Sequence, residues 1–412
     1  MLFGKRIIGL DGCELVSATE FTSTLFAKAV LTCPQVCPRC GSGEHRIKST
    51  ERRLIRHAAF DARVLFVEVL VRKRLCTCCN RYFRERIPGV KHRARASESF
   101  KNHTFTLHEA GSSCKTLGKM LRVSADSVSR WVEERLDKRL SETENRRKVC
   151  PTQLGIDEHF FTKKRGFATT LVDLKRKQVF DVVLGRSEKS LEGYLSKLAG
   201  REKVTVVVMD LSDTYRHIVQ RFFPNAKIIA DRFHVIRLVF QHFQKLWHQL
   251  DPQVKWKRGL RKLFRMHPQN LDPMQTLKLQ SYLNENPAIQ AIYEKRNEVS
   301  SLLLKRDQKG FQIGKNVGHF FSLTNELNDV GFASLKTLAE TLVSWQAEIG
   351  RMWRISRNNG ITEGFHNKME VISWRAYGYR NFNNYRKRVL ATSGWDGILA
   401  PRRRQRFDKL QV

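Results

Sequence analysis

Two pairs of cysteines have the spacing of a metal site. Two residues separate Cys37 from Cys40 and Cys76 from Cys79, and 35 residues lie between the pairs. This spacing lets both thiolates of a pair reach one tetrahedral ion, and four sulfurs leave no open coordination position. We therefore expect one structural Zn²⁺ at these cysteines; reduced core cysteines are the alternative, and the clustering does not suggest a disulfide scaffold.

Three carboxylates are candidates for a second kind of site. Asp157 and Asp210 each follow a strongly apolar segment, GI and VVVM. A buried carboxylate is costly unless it binds something positive, and ligands gather at the ends of strands in α/β sheets. One such aspartate is ordinarily a cap or turn residue, but two in a basic chain indicate a cation. Glu363 is the third candidate, with a first-turn glutamate stabilised by the helix dipole as its alternative.

An alternating strand and helix region must position the two aspartates. TQLGIDEHFF, FATTLVDLK and QVFDVVLG are typical of three strands in a meander, followed by a helix over Leu191–Leu198. The strand VTVVVMD, a helix near Tyr215–Phe222 and the strand AKIIAD complete the pattern. This order predicts an α/β layer with a mixed sheet.

The cysteine pairs need strands between them. The segment RRLIRHAAFDARVLFVEVLVRKRLCTC predicts two or three strands, and hence a zinc ribbon. Cys33 and Cys78 lie close enough to compete in the ligand assignment. The strongly basic flank that includes Arg72, Lys73 and Arg74 suggests contacts with phosphates.

A short helical unit follows the ribbon. Two apolar stripes flank a turn at Val123, and Ser124 is a candidate N-cap. This spacing is typical of a helix-turn-helix with Ser124–Arg135 as the recognition helix, or else of an ordinary helical hairpin. Ser127, Ser129 and Arg130 would be its base-facing residues.

The composition indicates a polyanionic partner. The 412 residues include 75 Lys+Arg against 40 Asp+Glu, a formal net charge of +35, and every part of the chain is basic. Nucleic acid is the usual partner of such a chain, although ribosomal or membrane surfaces are alternatives. A hydrophobic content of 41% excludes disorder throughout. With no apolar run long enough for a membrane span and no signal-like opening, we expect a soluble intracellular protein.

The motifs together resemble the DDE transposases of bacterial insertion sequences, specifically the ISL3 family. The matching blocks are CPRCGS, LCTCCNRYFRER, the helix-turn-helix, and the segments around Asp157 and Asp210. The most specific block is NNGITEGFHNKMEVISWRAYGYRNF around Glu363, which contains the family's N-G-x-x-E-G motif and its A-Y-G-Y-R-N run. The resemblance covers essentially the whole chain.

The resemblance implies a multidomain α/β protein with an RNase H-like catalytic domain. The expected domains are a zinc ribbon over 1–95, a helix-turn-helix over 96–150, the first part of the catalytic core over 151–240, a helical insertion over 241–355, and the second part of the core with a basic tail over 356–412. Asp157, Asp210 and Glu363 would be the catalytic residues. Asp231 and His234 match a D-x-x-H element of related transposases and are secondary candidates.

The implied reaction is metal-dependent cleavage and strand transfer on DNA. Two Mg²⁺ ions (or Mn²⁺) would be held by the three carboxylates. The partners would be double-stranded DNA, as terminal inverted repeats and as target, and a homodimer or larger assembly, with no membrane. The expected location is the bacterial cytoplasm, associated with the nucleoid.

Two departures from the family pattern keep alternatives open. Glu370 and Ser373 stand where basic residues are expected, so Glu370 competes as a ligand, and the segment LSDTY after Asp210 also differs. The alternatives are a catalytically inactive zinc-ribbon and helix-turn-helix regulator derived from a transposase, and a resolvase-like or RNA-cleaving nuclease of the same fold.

Overall fold

The computed structural model describes residues 2–3, 6–7, 10–60, 63–147, 149–256, 258–305, 311–355, 360–376 and 378–394. The chain divides into two compact units. The first comprises Met1–Arg139 with Trp374–Gly378, and the second comprises Leu140–Ser373 with Tyr379–Val412. The predicted basic tail beyond residue 394 lies outside the described residues.

The first unit contains a twisted β layer. Its strands are β1 (Leu2–Phe3), β2 (Arg6–Ile7), β3 (Cys13–Phe21), β4 (Thr24–Leu31), β5 (His45–Phe60), β6 (Arg63–Cys76) and β7 (Tyr82–Arg84). They lie in the order β1-β2-β3-β4-β6-β5, and β7 pairs with β6. Val67, Val69 and Val71 alternate along β6 and are buried, as expected for a strand with one face on a core. The hairpin of β5 and β6 lies where the sequence predicts strands, between the two cysteine pairs.

Three helices follow these strands: α1 (Glu98–Glu109), α2 (Cys114–Leu121) and α3 (Ala125–Arg147), of which the part of α3 after Arg139 belongs to the second unit. The hydroxyl of Ser124 accepts a hydrogen bond from the Ser127 amide at 3.2 Å, so Ser124 caps α3 as the sequence indicates. Leu117, Val128 and Val132 are buried between the helices. Helix α3 continues twelve residues beyond the predicted end at Arg135, since no glycine or proline interrupts this segment.

The second unit is built on a mixed sheet. Its elements are β8 (Gln153–Thr162), β9 (Gly166–Asp173), β10 (Gln178–Leu184), α4 (Glu188–Leu195), β11 (Val206–Met209), α5 (Asp213–Phe222) and β12 (Lys227–Ala230). The strands lie in the order β10-β9-β8-β11-β12. The meander of β8, β9 and β10 is antiparallel, whereas β11 and β12 are parallel to β8 because helices connect them. Helix α4 begins three residues before the predicted start, because Ser187 caps it.

Helices follow the sheet. They are α6 (Arg232–Leu250), α7 (Arg258–Arg265), α8 (Pro273–Asn284), α9 (Pro287–Leu304), α10 (Phe311–Asp329), α11 (Ala333–Ser344) and α12 (Gln346–Arg354). In their core the ring of Trp247 stacks on that of Phe264, with centroids 4.1 Å apart. Helix α12 returns to the sheet, where Arg351 Nη1 donates to the Ile228 carbonyl of β12 at 2.9 Å. None of the described helices combines the length and apolar character that crossing a membrane requires.

Two further helices, α13 (Gly360–Arg375) and α14 (Phe382–Ser393), follow α12. Phe365 and Met369 of α13 are buried, as the predicted apolar stripe requires. Helix α14 is fixed to β10 by a bidentate ion pair, in which Arg386 Nε and Nη2 each donate to an Asp181 oxygen at 2.6 Å. No local pattern in the sequence indicates this pair.

Gly118 sets how closely α2 approaches α3. A Cβ at this position would lie 2.8 Å from the Val123 carbonyl oxygen and 3.2 Å from the Ala125 amide nitrogen, both of them backbone atoms. We therefore expect Gly118→Ala to lower the free energy of unfolding by about 1–3 kcal/mol, measured by denaturant titration. Gly193→Ala in α4, where a Cβ meets no atom within 4 Å, is the matched control and should raise stability by about 0.5–1 kcal/mol. Equal changes in the free energy of unfolding for the two substitutions would contradict the close approach of α2 to α3.

Candidate functional site

Four cysteines of the first unit form a cluster of metal-ligand geometry. The sulfurs of Cys37, Cys40, Cys76 and Cys79 all lie within 4.8 Å of one another. Cys37 Sγ is 3.6 Å from Cys79 Sγ, and Cys40 Sγ is 3.5 Å from Cys76 Sγ. These separations are too long for disulfides and close to the edge of about 3.8 Å of a tetrahedron with metal–sulfur bonds of about 2.3 Å. The cluster therefore fits one tetrahedral ion.

The surroundings of the cluster favour thiolate ligands. The amides of Cys40 and Arg39 lower the pKa of the Cys37 thiol to about 6, whereas burial and the hydrogen bond to Cys37 raise the pKa of Cys79 to about 12, so without an ion the cluster holds a thiolate beside a thiol. Cys78, predicted as a competing ligand, is exposed, and Cys33 accepts a hydrogen bond from Gln35 Nε2 at 3.0 Å. Neither belongs to the set of four sulfurs.

Three aspartates line up across the sheet of the second unit. Val208 of β11 pairs with Gly155 of β8, so continuing this parallel register by two residues places Asp210 beside Asp157. On the other side of β11, Met209 pairs with Ala230, which places Asp231 beside Asp210. Adjacent strands are about 4.8 Å apart, so the register forms a short row of carboxylates where β11 and β12 end.

In this aspartate row (Asp157, Asp210 and Asp231), Asp157 and Asp231 are buried and Asp210 is half-buried. Asp157 is 7% exposed and Asp231 is 3% exposed. Burial raises the pKa of Asp157 to about 7 although the charge of His234 opposes the rise, and the charges of Asp210 and Asp231 add smaller increases. Burial also raises the pKa of Asp210 to about 6. A row of carboxyls that resist ionisation becomes favourable when a cation joins it.

His234 brings a cationic side chain to this row. Its Nδ1 lies 2.7 Å from Asp231 Oδ2, and this hydrogen bond raises the pKa of His234, with further contributions from Asp157 and Asp210. Asp210 Oδ1 is buried and makes no hydrogen bond within the part of the chain that the structure describes. An orphaned carboxylate oxygen of this kind is a position that a metal ion fits.

Helix α13 meets the aspartate row through His366 rather than Glu363. His366 Nδ1 lies 3.8 Å from Asp157 Oδ2, and Nε2 contacts Thr170 Oγ1 at 3.1 Å. Glu363 lies one turn earlier on the helix and is exposed. Over the described residues, only the four cysteines bring three or more ligand atoms within 4.8 Å, so neither the three aspartates of the row nor Glu363 with Asp157 and Asp210 form so close a group. Glu370 is also exposed on this helix.

A polar network beside the row was not predicted from the sequence. Thr170 is the cross-strand partner of Asp157, and its hydroxyl contacts His159 Nδ1 at 2.9 Å as well as His366. His159 Nε2 in turn contacts the Tyr385 hydroxyl of α14 at 2.8 Å. Burial lowers the pKa of His159 to about 3 and that of His366 to about 4, so both imidazoles are neutral near pH 7. The i+2 spacing of His159 from Asp157 and the i+3 spacing of His366 from Glu363 were the signals that could have pointed to it.

The predicted DNA contacts of the first unit fall into two sets. On β6, Arg74 Nε donates to Glu85 at 2.8 Å, Lys73 Nζ lies 4.9 Å from the centre of the Tyr82 ring, and Arg72 is exposed. On α3, Ser127 and Arg130 line a basic cavity, whereas Ser129 lies outside its lining. The members of the β6 set therefore differ in how free they are to reach a ligand.

The burial of the aspartate row predicts that the free energy of unfolding depends on pH. Because the folded chain holds protons on Asp157 and Asp210 more tightly than the unfolded chain, stability should fall as the pH rises from about 4 to about 7. In buffers without added Mg²⁺ or Mn²⁺, Asp157→Asn should raise the free energy of unfolding at pH 8 by about 1–3 kcal/mol, with little change near pH 4. The exposed Asp329→Asn is the control. A destabilising Asp157→Asn at pH 8 would contradict the assignment.

Comparison with known proteins agrees with the resemblance described above. A family model described as a transposase, of the ISL3 type, matches residues 154–389, which is more than half of the chain and includes the aspartate row and α13. The transposase for insertion sequence element IS1001 of Bordetella parapertussis is 24% identical over 358 residues, covering 84% of this chain and 86% of that protein. The chain therefore belongs to the ISL3 family of DDE transposases.

Proposed function

We propose that this protein cleaves DNA at the ends of an insertion sequence and joins those ends to target DNA. The observation that carries the proposal is the aspartate row, with the orphaned Asp210 Oδ1 at its centre, in a member of a transposase family. Buried carboxylates that favour a bound cation suit phosphodiester chemistry, in which charge stabilisation does most of the catalytic work.

Asp157, Asp210 and Glu363 would hold two Mg²⁺ or Mn²⁺ ions. Oxygen donors of this kind are the ligands these ions prefer. Bound there, the ions supply activation of the attacking hydroxyl and stabilisation of the leaving oxygen. Glu363 is exposed in the first turn of α13, the helix whose His366 contacts Asp157. Asp231 and His234 would act as positioning residues, because their hydrogen bond fixes the imidazole beside the two aspartates and favours its protonated form.

The strand order supports an RNase H-like assignment for the catalytic domain. Numbered within this sheet, the order is 3-2-1-4-5, with an antiparallel meander and two parallel strands joined by helices. The helices α6 to α12 separate Asp210 from Glu363 in the sequence and would be the insertion in that fold. The sheet accounts for why two of the catalytic residues follow apolar strands.

The first unit would recognise DNA. The four-cysteine cluster would hold one structural Zn²⁺, since four thiolates in tetrahedral reach form the donor set that structural zinc takes. With α2 and α3 as a helix-turn-helix, the unit would bind the terminal inverted repeats. Because two ends must be cut and joined together, the protein would act as a homodimer or a larger assembly on DNA, in the nucleoid.

The catalytic assignment predicts the effect of removing single carboxylates. With Mg²⁺ or Mn²⁺ and a duplex that carries the element's end, Asp210→Asn and Glu363→Gln should each lower the cleavage rate at least 100-fold, because a metal ligand is lost. Glu340→Gln, which removes an exposed glutamate of α11, is the matched control and should keep most of the activity. Cleavage unchanged in Asp210→Asn would refute the site. A wild-type chain that binds the ends and never cuts would favour the inactive regulator.

The zinc assignment predicts metal content and its consequences. The purified chain should contain one zinc ion, and Cys40→Ser should lose it, whereas the exposed Cys78→Ser should retain it. Because the ion links the two cysteine pairs, its removal should abolish end binding and leave the second unit folded, as judged by two separate unfolding transitions. Full metal retention in Cys40→Ser, or unfolding of the whole chain on chelation, would contradict this assignment.

A further inference from the structure

A basic cavity of about 920 Å³ lies within the first unit. Its walls are formed by β5 and β6, by the segment 92–96 and by the turn between α2 and α3. Eight arginines line it: Arg52, Arg53, Arg56, Arg84, Arg93, Arg95, Arg122 and Arg130. We call this cavity the arginine cleft.

The carboxylates of the arginine cleft already bind other groups of the protein. Glu85 accepts hydrogen bonds from the Arg72 amide at 2.8 Å and from Arg74, neither of which lines the cleft. Glu51 pairs with Arg84 at 3.1 Å. Over the described residues, none of the other seven arginines of the cleft forms an ion pair. The cleft therefore concentrates positive charge that the protein itself does not neutralise.

Arg56 is a partly buried arginine of this cleft that has the charge of Arg122 beside it. Its Nε is buried without a hydrogen-bond partner in the described part of the chain, and its guanidinium lies 4.9 Å from the centre of the Phe66 ring. Burial and the charge of Arg122 both lower the pKa of Arg56. A buried donor with no acceptor and a like charge beside it would be stabilised by an anion.

Two arginines of the cleft have strained backbones. Arg93 has φ 61° and Arg122 has φ 53°, in the left-handed region that glycine and asparagine occupy most readily. Arg122 ends α2 at a position where glycine is the usual residue. This conformation is less favourable for arginine than for glycine, because a side chain crowds the backbone there. This cost is understandable if the side chain serves binding.

We infer that the arginine cleft binds the phosphodiester backbone of duplex DNA. Guanidinium groups match phosphate oxygens in pairs, and Ser124 and Ser127 at the N-terminus of α3 also line the cleft. The cavity has the size of a few nucleotides of backbone, so one strand enters it and the duplex lies against its rim. This inference rests on the proposed function. It assigns Ser127 and Arg130 to contacts with DNA phosphates and leaves Ser129 as the candidate for a contact with a base.

Phosphate contacts weaken binding to every sequence when they are lost, whereas loss of a base contact weakens binding to one. The test measures affinity by fluorescence anisotropy for a duplex with the element's end and for a scrambled duplex, with the zinc-loaded full chain and no Mg²⁺. Arg56→Gln and Arg122→Gly should each lower affinity about tenfold for both duplexes. The slope of log K against log salt should decrease by about one per variant. Lys48→Gln, which removes a charge from β5 outside the cleft, should have a smaller effect.

Arg122→Gly separates binding from folding. It relieves the left-handed backbone, so its thermal stability should equal or exceed that of the wild type while its DNA affinity falls. Unchanged affinity and salt slope in this variant would overturn the inference, as would a loss confined to the element's end. Tighter binding to an RNA duplex of the same sequence would identify a different ligand and also overturn it. Because the assay contains no Mg²⁺, its result is independent of cleavage, so either proposal can fail without the other.

Discussion

The second unit depends on a register between three parallel strands. The pairing of β8, β11 and β12 places Asp157, Asp210 and Asp231 side by side in an interior where a carboxylate is costly. Folding must therefore supply enough apolar burial to hold these acids together, and the valines of β11 and the isoleucines of β12 are the residues that do so. The same cost makes a cation the natural partner of the site.

The helices that pack on the sheet determine which side chains surround Asp157. Asp157, His159 and Thr170 share the face of the sheet that α13 and α14 cover, through His366 and Tyr385. On the opposite face, the Tyr215 hydroxyl of α5 contacts Thr169 at 2.9 Å. The side chains next to Asp157 are thus neutral hydrogen-bonding groups, and His234 is the group that carries positive charge. A polar but weakly charged lining leaves the role of counter-ion to a metal.

Much of this arrangement follows from local patterns in the sequence. The strands around Asp157 and Asp210, the cap at Ser124 and the stripe of α13 were predictable because apolar periodicity and capping residues act over a few positions. The place of Asp231 in the row could not be predicted from such patterns, because register between strands is a tertiary property. Spacing alone could not reveal the polar network, because it joins distant segments through His159, Thr170, His366 and Tyr385. The arginine cleft could not be inferred for the same reason, since its arginines come from several separate elements.

The central claim is that the aspartate row is a cation site, and binding of Mn²⁺ tests it most directly. Electron paramagnetic resonance of free Mn²⁺, titrated with the zinc-loaded chain, counts the bound ions without requiring DNA or activity. We expect the wild type and Asp329→Asn to bind Mn²⁺ and Asp210→Asn to bind it at least tenfold more weakly. Equal Mn²⁺ affinity of the wild type and Asp210→Asn would contradict this claim.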